Sequence, residues 1–215
     1  IRSNSECRFG YRSSIFKSGD GENEFITHVV LELTPGDQKE IEEKILQKII
    51  GVKNHISKVE GYDISNIQGK QATGSMVVFI DGKPDKNQYR KFRIKTLDTP
   101  NDIAMLEETL ERRLNHSEWS YPDAILIDGG KAQLNIAIKS KIQMSNVKSN
   151  PKSKNIKILA IAKRNNELFI EDKKNPFLLK TLPQEIYNLI LSIRDESHRF
   201  AKSYHGKLRE ENLLR

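Results

Sequence analysis

Two aspartates stand inside segments that otherwise read as buried strand. Asp63 lies between Tyr62 and Ile64 in VEGYDISNI, and Asp128 closes the apolar run AILID just before Gly129-Gly130. Burying a carboxylate is costly unless it is paired or bound to a cation. In open α/β sheets, sites collect at the carboxyl ends of strands. If these two strands are neighbours, their carboxylates converge, and facing carboxylates repel unless a cation lies between them. A hard divalent ion, Mg²⁺ or Mn²⁺, with oxygen ligands and retained waters answers that problem. Such an ion can orient a scissile phosphate, activate water and stabilise the leaving oxygen. An aspartate before Gly-Gly is also a common turn former, so Asp128 alone supports either role. Nothing at the mid-strand position of Asp63 calls for a turn residue.

His198 sits on the last long periodic segment, PQEIYNLILSIRDESHRFAKSYHGKLREE, which starts at Pro183. Ile186, Ile190, Ile193, Ser197, Phe200 and Tyr204 fall on one helical seam, and His198 projects roughly 120° from its start, near Arg194 and His205. It is therefore an edge residue among cations. It is either a surface histidine or a metal ligand or proton-transfer group at the lip of the carboxylate site. Asp102 follows Asn101 at the start of NDIAMLEETLERRLN. There it can simply complement the helix dipole, or it can add a further acid to the site. DGGKAQ lacks the upstream glycine and the hydroxyl residue after Lys131 that a Walker A loop needs, so nucleotide binding is not expected there.

These groups must be positioned by the surrounding elements. FITHVVLEL (25–33) alternates and predicts a strand, and TPGDQKEIEEKILQKIIGV (34–52) predicts a helix with Ile41, Ile45, Leu46 and Ile49 on one side. KVEGYDISNI is a strand, and residues 74–95 hold two more around the turn DGKPDKN. Residues 101–115 form a helix capped by Asn101, with Ile103, Leu106, Leu110 and Leu114 on one stripe. AILID reads as a buried parallel strand, followed by a helix over 131–144, a polar Lys-rich loop over 145–155 and a strand over 156–164. NELFIED (166–172) makes a short hairpin beside that strand. The order β-β-β-α-β-α-β-α, with a β-α extension in front, makes the fold class α/β.

The 215 residues suffice for one large domain or one domain with extensions. The formal net charge of +7 and the pI near 9.3 suggest a polyanionic partner, nucleic acid first, while net charge alone fits an ordinary Lys-rich surface equally well. Lys and Arg run along NQYRKFRIK, AKR and HRFAKSYHGKLR, interleaved with Tyr89, Phe92, Phe200 and Tyr204, which suits phosphate contacts. Cys7 is the one cysteine, which excludes an intramolecular disulfide and a Cys-based zinc site. No apolar run is long enough to span a bilayer, so no membrane association is expected, and a reducing cytoplasm fits.

Several long motifs in one order resemble a known family. EGYDISNIQGKQATGSMVVFIDGKPDKNQYRKFRIK, NDIAMLEETLERRL, PDAILIDGGKAQLN, LAIAKR with ELF, and IRDESHRFAKSYHGKLR are similar to the C-terminal endonuclease half of UvrC, the nuclease subunit of bacterial nucleotide excision repair. The resemblance runs from about residue 44 to 210. It implies an RNase H-like mixed sheet flanked by helices, with an Asp-Asp-His catalytic set on Asp63, Asp128 and His198 that uses a divalent metal, Mg²⁺ or Mn²⁺. A further acidic position falls on Asp102, where the family commonly shows an Asp-Asp pair and this chain has Asn101-Asp102. The implied activity is the 5′ incision in damaged double-stranded DNA, after UvrA has loaded UvrB. Residues 44–215 are thus expected to be the RNase H-like endonuclease domain, and 1–43 an irregular or atypical extension. The GIY-YIG nuclease domain, the UvrB-contacting segment and the helix-hairpin-helix pair have no counterpart in this sequence, which marks it as a fragment or an unusually short relative. Two other expectations compete: a non-catalytic DNA-binding module of the same shape, and a nuclease acting on RNA–DNA hybrids.

Overall fold

The computed structural model describes residues 38–213 apart from 53, 66–71, 96–100, 146–154 and 164, with side chains described between 44 and 203, Ser65 excepted. The strand expected over 25–33, the irregular stretch before it and most of the Lys-rich loop lie outside these residues. The described residues belong to a compact unit spanning Asp37–Arg215. The expected domain boundary at 43/44 falls within its first helix.

Helix α1 (Gln38–Ile50) leads into β1 (Lys58–Ser65), β2 (Thr73–Ile80), the two-residue β3 (Lys83–Pro84) and β4 (Arg90–Arg93). Asp81 and Gly82 both take positive φ at the tight turn between β2 and β3, as an Asp-Gly hairpin requires. A single 3₁₀ turn over 86–88 then redirects the chain into β4. Thus the segment 74–95 makes three strands rather than two, because β2 shares its free edge between β3 and β4. The chain continues through α2 (Asp102–Asn115), β5 (Ala124–Asp128), α3 (Lys131–Ser145), β6 (Lys157–Ala162), β7 (Glu167–Ile170), β8 (Phe177–Leu178) and α4 (Gln184–Leu213). Asn101 caps α2 as its position suggests, its side chain accepting from the Ala104 N–H at 3.2 Å.

The eight strands among the described residues join one mixed sheet in the order β3-β2-β1-β5-β6-β7-β8, with β4 also on β2. Only β1, β5 and β6 run parallel to one another; the other pairs are antiparallel. Central strands buried on both faces carry near-continuous apolar runs, which explains MVVF in β2 and AILI in β5. Strand alternation assigns the faces. A Cβ at Gly61 would strike Ile193 of α4, whereas Glu60 meets Arg113 of α2, so odd-numbered positions of β1 face α4 and even-numbered ones face α2. Helices α1 and α4 cover the first face, and α2 with α3 the second. The α4 seam is buried at Ile186, Ile190, Ile193, Ser197 and Ala201, with Phe200 half-buried beside it.

Candidate active site

The register of β1 and β5 brings the two aspartates level. Tyr62 pairs with Ile127 across parallel strands, so Asp63 and Asp128 are the next positions on adjacent strands, roughly 4.8 Å apart in the hydrogen-bonding direction. Both face α4, as do Gly61 and Leu126 behind them. Asp63 is 8% exposed and nearly at the end of β1, and Asp128, half-buried, ends β5.

Helix α4 brings the third group. His198 Nδ1 lies 3.2 Å from Asp63 Oδ2. Its side chain is 48% exposed, so the ring is open to solvent while it contacts Asp63. A carboxylate only accepts, so Nδ1 carries the proton in this contact. In the neutral ring that leaves Nε2 with its lone pair. Two arginines of this helix near His198 are answered on the helix itself. Arg194 bonds Asp195, and Arg199 bonds Glu196 through both guanidinium nitrogens. The Arg199 guanidinium, with help from the Tyr89 hydroxyl, holds the Glu196 carboxyl below its ordinary range. Burial, then Glu196, pushes the Tyr89 hydroxyl well up.

Asp102 is not joined to these three by any described hydrogen bond or ion pair. It is the exposed first residue of α2, the helix on the opposite face of the sheet. Thr109 of α2 sits against Gly74, the partner of Ile64, while Arg113 reaches Glu60 further back along β1. So α2 runs against β1, and its N-terminus points toward the same end of the sheet as the two strand aspartates.

The structure also shows polar groups that pattern reasoning missed. Ser75, opposite Asp63 on β2, is fully buried, and its Oγ finds no hydrogen-bond partner among the described residues. On the other face, Glu60 and Arg113 form a fully buried ion pair, with Arg113 Nη2 2.8 Å and Nε 3.1 Å from Glu60 Oε1. The Tyr62 hydroxyl donates to Glu60 at 2.7 Å, and Lys58 Nζ donates to Gln88 and to Ser120. Burial of the Lys58 ammonium lowers its pKa, and burial together with Glu60 pushes the Tyr62 hydroxyl well above its ordinary value. The one sequence signal for this network was a glutamate in a strand that alternates poorly.

The donor set suits a hard divalent cation. Mg²⁺ and Mn²⁺ bind through one or two carboxylates and keep several waters, and Asp63 and Asp128 offer that open arrangement. Among the described residues no three of His, Cys, Asp and Glu are gathered so that they could hold a metal ion.

Residues 47–201 match the model of the UvrC RNase H endonuclease domain. The chain belongs to this family. It is 44% identical over 171 residues to the UvrABC system protein C of Dictyoglomus thermophilum, covering 79% of this chain and 27% of that protein. It is 37% identical over 172 residues to the UvrABC system protein C of Fusobacterium nucleatum, covering 80% and 28%. The chain thus spans about a quarter of the length of these curated relatives. A solved structure of Ciona intestinalis endonuclease V with inosine-containing DNA aligns at a TM-score of 0.35 and 15% identity over 58% of this chain and 54% of that one. As a UvrC endonuclease domain, the chain has the RNase H-like mixed sheet flanked by helices that its motifs implied. None of its described helices is long and apolar enough to cross a membrane.

Proposed function

We propose that this chain is a divalent-metal-dependent endodeoxyribonuclease that makes the 5′ incision beside a lesion in double-stranded DNA. Asp63 and Asp128 hold a Mg²⁺ or Mn²⁺ ion, which when bound supplies Lewis-acid stabilisation of the phosphate. The observation that carries the reading is the contact of His198 with Asp63, made between the last helix and the first core strand. Asp63 orients the imidazole through Nδ1 and leaves Nε2 to accept a proton from the attacking water or, when the ring is protonated, to donate to the phosphate. Asp102, at the same end of the sheet, is the further acid that the family resemblance adds. The basic, aromatic-interleaved segments hold the DNA backbone. UvrB, loaded by UvrA, is the partner that delivers the substrate, a reading supported by the relatives' name, UvrABC system protein C, and the cytoplasm is the compartment.

The test is incision of an end-labelled duplex carrying one bulky adduct, with Mn²⁺ and with or without UvrA and UvrB. Cleavage on the 5′ side that disappears in Asp63→Asn supports the assignment. Metal-independent DNA binding with no cleavage under any condition would establish the non-catalytic module instead, and preferential cutting of an RNA–DNA hybrid would establish the hybrid nuclease.

A further inference from the structure

The contact between His198 and Asp63 depends on how low α4 rides on the sheet, and one residue of β1 governs that height. Gly61 lies two positions before Asp63 on the same strand face. A Cβ built there would come within 2.5 Å of Ile193 Cγ2, 3.0 Å of Val77 Cγ2 and 3.4 Å of the Ile193 carbonyl oxygen. Real Cβ atoms do not approach a carbon at the first of these distances, so something has to move. It cannot be the end of a flexible chain. Cγ2 branches directly from Cβ, and isoleucine in a helix is held in essentially one χ1 rotamer. Ile193 is itself 2% exposed, packed on all sides. The backbone oxygen of the same residue stands behind it. The element that yields is the helix.

His198 is five residues further along α4, and Asp63 is two residues further along β1. The pair that defines the site therefore lies just beyond the point of closest approach between helix and strand. The Nδ1–Oδ2 separation of 3.2 Å is already at the long end for a hydrogen bond, so a rise of α4 by a fraction of an ångström breaks it. Ser75, directly across from Asp63, is also small and fully buried, which is consistent with α4 lying close over this row.

We infer that Gly61 is a positioning residue: by having no side chain, it seats α4 against β1 at Ile193 and so sets the distance between His198 and Asp63. It touches neither substrate nor metal. The inference deepens the nuclease reading and rests on it for its catalytic consequence, but the geometric part stands by itself.

The experiment uses the whole chain and two readouts. The first is incision rate on adducted duplex with Mn²⁺; the second is the ring-nitrogen NMR signature of His198 in the metal-free protein, which reports the bond to Asp63. Gly61→Ala is expected to lower incision about 10–100-fold, the range seen when groups that orient ligands are disturbed, to leave DNA affinity unchanged within about twofold, and to shift the His198 signature. Ile193→Ala removes the methyl that the new Cβ would strike, so Gly61→Ala with Ile193→Ala is expected to recover both readouts. Ile193→Val keeps a branched methyl at that place and is expected not to rescue. Normal incision and an unshifted His198 in Gly61→Ala would overturn the inference. So would rescue by valine equal to rescue by alanine, or failure of alanine to rescue. Should Gly61→Ala fail to fold, the double variant is compared with Ile193→Ala alone, and loss of the native His198 signature in the double variant overturns the inference. If the parent chain does not cut DNA, the nuclease reading falls while the NMR comparison still decides the role of Gly61.

Discussion

His198 Nδ1 rests 3.2 Å from Asp63 Oδ2, joining residues 135 positions apart in the chain. The contact links the last helix to the first strand of the core, so it exists only when the whole α/β unit is assembled. Replacing His198 by alanine is expected to remove most of the incision activity, by about 10²–10⁴-fold as for loss of a positioned proton-transfer group. DNA affinity should stay within about twofold in a filter-binding assay, because it rests on many Lys and Arg contacts. Parallel loss of affinity and activity would mean that the ring holds a phosphate instead.

Asp63→Asn and Asp128→Asn should each reduce cleavage more than about 100-fold, beyond the effect of disturbing a ligand's hydrogen-bond partner. The circular dichroism spectrum should remain that of the parent. Either variant cutting at the parent rate excludes that carboxylate from the site.

Binding of undamaged duplex should be weak and strongly salt-dependent, with a dissociation constant in the range of about 10⁻⁴–10⁻⁶ M at physiological salt. A titration series across ionic strength measures it. A marked preference among sequences would contradict recognition through the backbone.

Arg113→Met leaves the Glu60 carboxylate buried without its main partner. Breaking such a pair from one side costs about 3–5 kcal/mol, which urea unfolding will show as a lowered midpoint. Replacing both members by apolar residues of similar volume should cost far less. If the single change costs no more than the double, the pair is not an isolated buried charge couple.

Alkaline stability should also report this network. Folding keeps the Tyr62 hydroxyl protonated far above its ordinary value, while the unfolded tyrosine ionises near its reference value of about 10. Above that pH the unfolded chain binds fewer protons than the folded one, so stability falls as pH rises. Lys58, its pKa lowered by burial, acts in the opposite direction below the ordinary lysine value of 10.5. Tyr62→Phe removes only the tyrosine contribution. Its unfolding free energy should therefore decline less steeply above pH 10 than the parent's, and equal slopes would refute the assignment.

Local pattern revealed the elements because each carries its own period or its own run. AILID declared a buried strand, Asn101 a helix start, and the isoleucines of α4 a seam that left His198 at its edge. It could also show that two carboxylates occupied strand positions where charge is unwelcome. Pairings between elements were another matter. Nothing within β1 tells that Glu60 faces an arginine at the far end of α2, since a strand buried on both faces has no alternation to betray which side is polar. The side of the sheet on which Asp102 lies was equally hidden, because that depends on the crossover from β4 to α2. The third strand in residues 74–95 was missed because β3 is two residues long, too short for any periodicity.

Asp123, a residue with no part in the chemistry, carries a consequence for how this chain tolerates change. Its Oδ2 accepts from the Ser57 and Lys58 N–H groups at 2.9 and 2.8 Å, and its own N–H donates to the Lys58 carbonyl. These bonds tie the beginning of β1 to the beginning of β5, at the end of the two strands away from the site. From Lys58 to Asp63 and from Asp123 to Asp128 the two strands then count off the same number of residues. The arrangement is a ruler with its zero mark at one end and its reading at the other. Deleting a single residue from either strand would turn one aspartate to the opposite face of the sheet, while the hydrophobic content of both strands stayed nearly the same. Length, more than composition, is what these two segments cannot vary.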